Sequence, residues 1–327
     1  MNSIKIICDC REDFPTKCPG SLWNDHLEKK SFQALVDAIR ALGYTCDIFG
    51  GVPQLIHAYD QHEQLPDALF FNVSDGMTQP YSRTQIPILC DLLGIAYIGS
   101  GTFTATLATN KHYTKLALME AGILCPQGVL MTHQNQTAAL RKLPSASMPV
   151  LLKPNTEGSS IGITSENICE DIPKTAAVAA KLLQDFDEIV IEEYIRGYDA
   201  TAFVIGNPGQ FLLNEVLITQ HHNKLCFEDE VLGYQSYVNN EVSYLAADTV
   251  LAPEVVEKIK QIAEHAFAII QAQDYIRIDF RVTQEGTVYL LEINTVPAIK
   301  LESQVGAICA LKQYTLSEFC ELIIKAI

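Results

Sequence analysis

The sequence lacks any apolar run that approaches the roughly 20 residues of a membrane-spanning helix, and it is poor in basic residues. Lys and Arg number 23 against 39 Asp and Glu, so the formal net charge is −16. Such a surface repels nucleic acid and anionic membranes, and we expect neither as a partner. If the ligand is a polyphosphate, local Lys and Arg side chains must overcome this acidic background.

The first residues also lack the pattern of a signal peptide, because the short apolar strand at residues 4–7 runs at once into a polar loop. The ten cysteines are scattered along the chain, and several lie inside apolar segments. This distribution is typical of reduced, buried thiols, and it predicts a cytoplasmic protein. Cys8, Cys10 and Cys18 form a loose cluster that could bind a metal, but no second cluster with zinc spacing completes it.

Two nucleotide-binding motifs are missing as well. No Gly-x-Gly-x-x-Gly turn follows the first strand, which argues against a dinucleotide-binding domain, and no Gly-Lys-Ser/Thr order indicates a Walker loop. With 19% charged and 48% hydrophobic residues, the composition excludes a disordered chain. The 327 residues are enough for two or three domains.

Strands and helices alternate through the first hundred residues, which predicts a small parallel α/β domain that ends at the Gly-Ser-Gly linker of residues 99–101. Beyond residue 197 the chain becomes rich in strands. The polar stretch of residues 220–245, called the lid segment below, has the length and composition of connections that often cover an active site. The predicted strands are 4–7, 45–49, 68–73, 95–98, 128–131, 150–153, 188–194, 201–205 and 210–216, and the predicted helices are 28–42, 84–93, 103–122, 174–184, 255–271 and 316–327.

Three oxygen donors lie on two strand-like segments near the C-terminus. Asp279 has the apolar neighbours Ile278 and Phe280, while Glu292 and Asn294 are two residues apart and so share one face of a strand. Burying unpaired carboxylates is costly, whereas Mg2+ usually binds one or two carboxylates together with substrate phosphates. The pattern predicts a nucleotide–metal site, and the alternative is a hairpin whose polar face meets water.

Two further segments suggest nucleotide binding. Lys153 ends an apolar strand and precedes the Gly/Ser loop of residues 157–160, whose backbone amides and hydroxyls can surround phosphate oxygens. The strand at 190–195 turns polar at Glu192, which could bind an adenine edge, and Asp199 could hold ribose hydroxyls. Taken singly, these segments fit an ordinary turn and a strand with a solvated acidic end equally well.

In order and spacing these segments resemble the ATP-grasp superfamily, and within it the D-alanine–D-alanine ligase-like family. The matching patterns are Lys-Pro-x-x-Glu-Gly-Ser-Ser-x-Gly from Lys153, the acidic residues around Gly197, Arg-x-Asp-Phe from Arg277, and Glu-x-Asn-Thr-x-Pro from Glu292. The linker at 97–101 and the Asn-Lys-x-x-x-Lys stretch at 110–115 are similar too. The resemblance covers nearly the whole chain and is weakest before residue 70 and between residues 217 and 250.

The resemblance implies an ATP-grasp fold of mixed α/β and α+β class, with an N-terminal parallel α/β (pre-ATP-grasp) domain. The implied domains are residues 1–102, which bind substrate, residues 103–195, a central subdomain with the phosphate loop, and residues 196–327, a C-terminal subdomain with the metal site and the lid. ATP would bind between the last two with two Mg2+ ions, or with Mn2+ in their place. The implied ATP-binding residues are Lys111, Lys153, Glu157, Gly158, Ser159, Ser160, Glu192, Glu193, Tyr194, Ile195 and Asp199, and the implied metal ligands are Asp279, Glu292 and Asn294.

The implied reaction joins two amino acids in two steps. The carboxylate of the first attacks the γ-phosphorus of ATP to give an acyl phosphate, and the amine of the second then displaces phosphate. Arg277 would stabilise the oxyanion of the tetrahedral intermediate. The implied catalytic residues are Arg277, Ser159 and Glu28, and Arg277, Ala298 and Ser303 would contact substrate. The family also implies small, amino-acid-like substrates and a homodimer.

The departures from the family pattern cluster at amino-acid recognition. No Lys accompanies Tyr234 or Tyr237 in the lid segment, where the family has a Lys-Tyr pair. The segment at 297–300 reads Pro-Ala-Ile-Lys in place of Pro-Gly-Met/Leu-Thr, and Glu28 is the nearest substitute for an amine-binding Glu whose motif is missing. Because the nucleotide and metal residues are intact, we predict a working ligase whose substrates need not both be D-alanine. The alternatives are the same chemistry on other amino acids or a small carboxylate and, in another class, a nucleotide-binding regulatory module without turnover.

Overall fold

The structure is a computed structural model that describes residues 2–13, 28–77, 80–143, 148–239 and 241–327. Cys18, from the loose cysteine cluster, lies outside the described residues. The described cysteines are unbridged and, except for Cys226, buried, as the sequence predicts. Among the described helices, none is both long enough and apolar enough to span a membrane.

The N-terminal part is a parallel α/β unit, as predicted. Its elements are β1 (Ser3–Ile7), α1 (Lys29–Ala41), β2 (Thr45–Gly50), α2 (Val52–Asp60), β3 (Leu69–Asn72), α3 (Gln85–Leu93) and β4 (Tyr97–Ile98). The strand order is β2-β1-β3-β4, and all neighbouring strands are parallel. In α1, Phe32, Leu35, Val36 and Ile39 recur at helical spacing, and all four are buried against the sheet side.

Two helices occupy the stretch for which one helix was predicted. They are α4 (Thr102–Thr109) and α5 (Lys111–Glu120). Asn110 separates them because its backbone is extended, and its side-chain oxygen accepts a hydrogen bond from the backbone nitrogen of Tyr113 at 3.0 Å. Asparagine favours this helix-capping role over a helix interior, so it begins a second helix. The prediction of a continuous helix at 103–122 is therefore wrong.

The central part is a four-stranded antiparallel sheet with two helices. Its elements are β5 (Gly128–Thr132), α6 (Gln136–Arg141), β6 (Val150–Pro154), β7 (Ile168–Cys169), α7 (Ile172–Leu182) and β8 (Glu188–Glu193). The strand order is β5-β8-β6-β7. Met131, Leu152 and Ile191 belong to its hydrophobic core, which is separate from the other cores. The sheet therefore forms a compact layer whose β6 and β8 present Lys153 and Glu192.

The C-terminal part is built on a larger antiparallel sheet. Its elements are β9 (Gly197–Asn207), β10 (Gln210–His221), β11 (Cys226–Phe227), α8 (Tyr234–Val238), β12 (Val242–Ala246), α9 (Pro253–Ile269), β13 (Tyr275–Val282), β14 (Val288–Asn294), α10 (Gln304–Lys312) and α11 (Leu316–Lys325). The strand order is β12-β10-β9-β13-β14, and β11 pairs with β9. The lid segment thus contains the end of β10, then β11, α8 and most of β12.

Two hydrophobic cores join parts of the chain that are distant in sequence. Phe71 of β3 packs against Tyr275 of β13, with ring centroids 5.8 Å apart. Ala108 of α4 and Leu118 of α5 lie in the core of the C-terminal sheet. Helices α4 and α5 therefore pack on the C-terminal sheet, and the domain boundaries at residues 102 and 195 stay a prediction.

Candidate active site

The predicted metal ligands lie together on the β13–β14 hairpin. Asp279 pairs with Glu292 across the ladder, and Arg277 pairs with Asn294, so these side chains occupy neighbouring positions on one face. Facing carboxylates repel each other, but Arg277 Nη2 donates to Asp279 Oδ2 at 2.7 Å. Thr201 Oγ1, on the adjacent strand β9, donates to the other oxygen of Asp279 at 2.8 Å. The hairpin thus gathers two carboxylates and an amide beside a fixed guanidinium.

Glu292 remains ionised because cations surround it. Lys111, the first residue of α5, places its Nζ 3.5 Å from Glu292 Oε2. Burial opposes the charge on Glu292, but Lys111, Lys153 and Arg277 outweigh that effect and hold the pKa of Glu292 at about 2. The carboxylate is therefore available as a permanently charged oxygen donor at neutral pH.

A second charged network is buried where β6 and β8 meet α5. The carboxylate of Glu192 accepts a hydrogen bond from Lys115 Nζ, and its other oxygen lies 2.7 Å from Lys153 Nζ. Lys115, Glu192 and Lys153 have side chains that are 4%, 2% and 6% exposed, so the carboxylate offsets one of two buried positive charges and leaves the other available to an anionic ligand. Burial opposes the charge on Glu192, yet the two lysines lower its pKa. Glu192 therefore holds two lysines in place beside the phosphate loop, a role for Lys115 that the sequence did not predict.

The predicted phosphate loop follows β6 and is shaped by two serines with left-handed backbones. Ser159 and Ser160 have φ angles of 48° and 55°. Such angles are uncommon outside glycine and often occur where a loop must surround a ligand. Lys111 Nζ donates to the backbone carbonyl of Glu157, which connects α5 to the loop. The backbone carbonyl of Gly158 accepts the hydrogen bond that closes the turn of the loop.

The segment of residues 192–195, called the hinge below, connects the central sheet to the C-terminal sheet. Tyr194 Oη donates to the backbone carbonyl of Glu230 at 2.6 Å, so the hinge also holds the lid segment. Asp199, predicted to bind ribose, lies on β9 with its Oδ1 3.0 Å from Arg281 Nε, and burial raises its pKa. The hinge residues, in chain order from the end of β8, are Glu192, Glu193, Tyr194 and Ile195.

Two adjoining cavities meet at these residues. The smaller, of ≈ 130 Å³, is lined by Lys153, Asp199 and apolar side chains such as Ile163 and Leu232. The larger, of ≈ 380 Å³, is bordered by α1 and the loop after β3, by strands of the C-terminal sheet and by Ser159 of the phosphate loop. A ligand in one cavity could react with a ligand in the other at the wall they share. The residues lining both are Ser160, Tyr237, Arg277, Asp279, Glu292 and Gln304.

The predicted substrate residues Ala298 and Ser303 line the larger cavity. Ser303 Oγ donates to the carbonyls of Ala298 and Lys300 at 2.9 and 2.7 Å, and it accepts from the backbone nitrogen of Val305 at 3.2 Å. Its hydroxyl therefore caps α10 and fixes the segment that carries Ala298 and Lys300 along the cavity wall.

Glu28, predicted to be catalytic, lies beside the lining of the larger cavity without being part of it in the described structure. It immediately precedes α1, where its carboxylate lies 2.6 Å from Lys30 Nζ and 3.7 Å from Arg11 Nη1. Within the described part of the chain, the cavity linings include Arg11 and exclude Glu28. Its catalytic role stays a prediction.

The lid segment contributes three tyrosines, of which Tyr244 was not indicated by any motif. Tyr234 and Tyr237 of α8 and Tyr244 of β12 line the larger cavity. Lys224, the basic residue of this segment, pairs with Glu230 at 2.8 Å and is half-exposed.

Thr201 was not predicted as a site residue, although its position two residues after Asp199 on a strand places both on one face.

The family model described as the D-ala D-ala ligase C-terminus matches residues 118–325. The chain belongs to the D-alanine–D-alanine ligase family. The resemblance found in the order of the motifs is therefore confirmed, together with the ATP-grasp fold and the predicted activity, that of an ATP-dependent ligase that forms C–N bonds.

Individual members of the D-alanine–D-alanine ligase family are similar to most of the chain. The D-alanine–D-alanine ligase of Desulforamulus reducens is 29% identical over 293 residues, covering 88% of this chain and 89% of that protein. The one from Novosphingobium aromaticivorans is 31% identical over 241 residues, covering 72% of each.

Solved structures agree on the fold. The VanG D-Ala:D-Ser ligase of Enterococcus faecalis has a TM-score of 0.74 at 17% identity, with 100% of this chain and 99% of that chain covered. The D-alanine–D-alanine ligase of Bacillus anthracis, solved in complex with ATP, has a TM-score of 0.71 at 16% identity, with coverages of 100% and 97%.

Proposed function

We propose that this ligase joins two amino acids into a dipeptide, with D-alanine as the first candidate substrate. The observation that carries the proposal is the wall shared by the two cavities, where Arg277, Asp279 and Glu292 face both spaces. A phosphoryl donor in the smaller cavity and a carboxylate acceptor in the larger cavity would meet there. This arrangement supports acyl phosphate formation followed by attack of an amine.

The smaller cavity suits the nucleotide. Its apolar side chains offer a surface for an adenine ring, and Asp199 is placed to meet hydroxyl groups of ribose. Lys111, Lys115 and Lys153 supply the local positive charge that an acidic protein needs for a polyphosphate. The relative from Bacillus anthracis is itself solved with ATP, which supports ATP as the nucleotide.

Asp279, Glu292 and Asn294 fit Mg2+, because they form an oxygen-only set on neighbouring strands and Glu292 is kept ionised. When bound, Mg2+ would neutralise charge on the phosphate oxygens. Arg277 lies beside these ligands. Burial disfavours the charge of its guanidinium, but the carboxylate of Asp279 keeps the pKa of Arg277 above the ordinary value. A guanidinium fixed at the shared wall is suited to hold the oxyanion that develops on the acyl carbon.

The chain's own residues account for orientation and for exclusion of water. Lys111 and Lys153 orient the phosphates. The left-handed backbone conformations of Ser159 and Ser160 turn the phosphate loop toward the larger cavity. An acyl phosphate hydrolyses if water reaches it, so a cover is required. Tyr237 of the lid segment lines both cavities and supplies part of that cover.

A second candidate is ligation in which the second substrate differs from D-alanine. Ala298 and Lys300 both line the larger cavity, where the family pattern has Gly and Thr. The extra methyl group narrows the floor of the pocket, and the ammonium group favours a substrate with an additional carboxylate. The fold tolerates such a change, since the relative from Enterococcus faecalis is named a D-Ala:D-Ser ligase.

Phosphate release from ATP and Mg2+ in the presence of pairs of amino acids tests both candidates. The pairs should combine D-alanine with itself, with other neutral D- and L-amino acids, and with D-aspartate and D-glutamate. We expect phosphate release when D-alanine is the only amino acid present. Release only with another pair would select the second candidate, and ATP binding without release for any pair would contradict both and favour a regulatory module.

The Glu292→Ala variant tests the metal assignment. It removes one proposed ligand, so we expect ADP release to disappear with every substrate pair. Glu120→Ala removes an exposed carboxylate from the end of α5 and should turn over at the wild-type rate. Appreciable ADP release by Glu292→Ala would show that Glu292 does not hold the metal.

A further inference from the structure

Three side chains with metal-binding chemistry meet where the lid segment leaves the C-terminal sheet. His221 ends β10 and pairs with Val242, the first residue of β12. His222 follows in the chain, and Glu241 precedes Val242. The ligand atoms of His221, His222 and Glu241 all lie within 4.8 Å of one another, and none of the three lines either active-site cavity in the described structure.

The backbone places the second imidazole beside the first. His221 and Lys224 exchange two backbone hydrogen bonds, of 2.9 and 2.8 Å, around a two-residue turn. His222 and Asn223 in that turn have φ angles of 46° and 66°. Turns of this kind favour asparagine and glycine, so histidine at the first position is an unusual choice. Its effect is to bring the two imidazole rings to a centroid separation of 4.2 Å.

The two nitrogen–oxygen separations are close to those of ligands around one ion. His221 Nε2 and His222 Nε2 lie 3.5 and 3.7 Å from the same oxygen, Glu241 Oε2. Zn2+ binds nitrogen and carboxylate oxygen at about 2.0–2.2 Å, so two ligands of a tetrahedral site are about 3.3–3.6 Å apart. A direct hydrogen bond would instead be about 2.9 Å long. The three atoms therefore require little movement to share a cation.

Two contacts prepare this arrangement. Asn239 Nδ2 donates to Glu241 Oε1 at 3.3 Å, which leaves Oε2 turned toward the imidazoles. His221 Nε2 is buried and has no hydrogen-bond partner in the described structure. A buried polar atom without a partner is costly, and a metal ion would satisfy it. His222, with 65% of its side chain exposed, leaves the site open to an ion from solvent.

We propose that His221, His222 and Glu241 bind a transition-metal ion, with Zn2+ as the best match. Two imidazoles and one carboxylate suit Zn2+, whereas Mg2+ and Ca2+ prefer sites made of oxygen alone. The ion ties the end of β10 to the residue before β12, and so it closes the base of the lid segment. This site is separate from the active-site metal and stands whether or not the proposed function is correct.

Zn2+ binding to the full chain, measured by equilibrium dialysis in saturating Mg2+, tests the proposal. The variants are His222→Ala and Glu241→Gln. The matched control is His57→Ala. His57 Nε2 lies 3.6 Å from a Glu63 oxygen and the side chain is 66% exposed, but among the described residues no second imidazole joins this pair. We expect the wild type and His57→Ala to bind one more equivalent of Zn2+ than the other two variants. Cysteine sites are the same in all four proteins, so equal stoichiometry in the wild type and His222→Ala would overturn the site.

Limited proteolysis tests the effect on the lid segment. Saturating Zn2+ should slow cleavage between residues 223 and 240 several-fold in the wild type and in His57→Ala. It should leave the cleavage of His222→Ala unchanged, because that variant folds without the exposed imidazole. If the wild type binds the additional Zn2+ but is cleaved at the same rate, the ion does not close the base of the lid.

Discussion

Single charged residues determine how this acidic chain can hold an anionic ligand. Lys111 and Lys115 come from α5, Lys153 comes from β6, and all three converge on Glu192 or Glu292. Buried cations of like sign repel one another, so the two carboxylates keep the lysines in place before any phosphate arrives. The same pairing lowers the pKa of both carboxylates and leaves them ionised at neutral pH.

Glu292→Gln should change how stability depends on pH. The pKa of Glu292 in the folded protein is about 2, below its ordinary 4.5. Its stabilising contribution is therefore present above pH 4.5 and is lost as the pH falls toward 2. The free energy of unfolding of the wild type should exceed that of Glu292→Gln by a margin that is about 1–2 kcal/mol larger at pH 6 than at pH 3. This range allows for the partly exposed side chain. Denaturant unfolding at several pH values measures it.

Glu120→Gln is the matched control for that change in charge. Its carboxylate is exposed at the end of α5, so this variant makes the same change of charge at the opposite end of the helix from Lys111. If Glu292→Gln and Glu120→Gln gave the same pH dependence, the lysines and Arg277 would not be holding the Glu292 carboxylate in its charged form.

The candidate charges could be predicted from the sequence, but their pairing could not. Lys153, Asp279 and Glu292 occur at spacings that mark them as site residues. Lys115 and Glu192 are 77 residues apart, and nothing local shows that α5 turns this lysine toward β8. The absence of Glu28 from the described cavity linings could not be predicted either, because it depends on how α1 packs on its sheet.

At the scale of elements, the shape of the phosphate loop depends on Gly162. Its φ is 75°, and a Cβ there would lie 2.8 Å from a side-chain atom of Pro154 and 2.9 Å from one of Phe186. Gly162→Ala should therefore lower stability by about 1–3 kcal/mol and raise the KM for ATP, because the loop must shift. Gly43→Ala is the control, since Gly43 has φ of 92° but nothing within 4 Å of its Cβ position. An unchanged KM in Gly162→Ala would mean that the loop does not shape the nucleotide site.

The start of α5 depends on Asn110, which accepts from Tyr113 and donates to Tyr81 Oη at 2.7 Å. Asn110→Ala should cost about 1 kcal/mol of stability through loss of the helix cap. It should also raise the KM for ATP, because Lys111 is the next residue. Asn110→Asp keeps the capping oxygen and should recover most of the stability in thermal unfolding. Equal loss in both variants would argue against the capping role.

The elements that the sequence predicts are those with strong periodicity or clear ends. The long helices α1 and α9 and the strands β1, β2, β3, β5, β6 and β8 fall close to their predicted positions. The strands β9 and β10 run longer than predicted, and β7, β11, β12 and the short helix α8 were not predicted. The helices α2, α6 and α10 were missed, since they have only 9, 6 and 9 residues and offer little periodicity. The break at Asn110 was missed because the apolar pattern continues through it, and only the capping hydrogen bond reveals it.

At the scale of the whole molecule, the ends of the chain share one core. Buried residues of β1, α1 and β3 pack in the same cluster as residues of β9, β13 and α11. Gly99 N also donates to Asp274 Oδ2 at 2.8 Å, which joins the first linker to the start of β13. The central sheet has its own core and lies outside this cluster. The N-terminal and C-terminal parts should therefore gain and lose structure together, while the central sheet opens more independently.

Tyr275→Phe tests that coupling, because Tyr275 Oη donates to the backbone carbonyl of Asn72 at 2.9 Å across the two sheets. Losing this buried hydrogen bond should cost about 1–2 kcal/mol. In native-state hydrogen exchange, we expect protection to fall by the same amount in β3 and β13 and to stay unchanged in β6 and β8. Leu152→Ala, in the central core, should cost about 2–5 kcal/mol and give the reverse pattern. If Tyr275→Phe weakened β13 alone, the two ends of the chain would not be one cooperative unit.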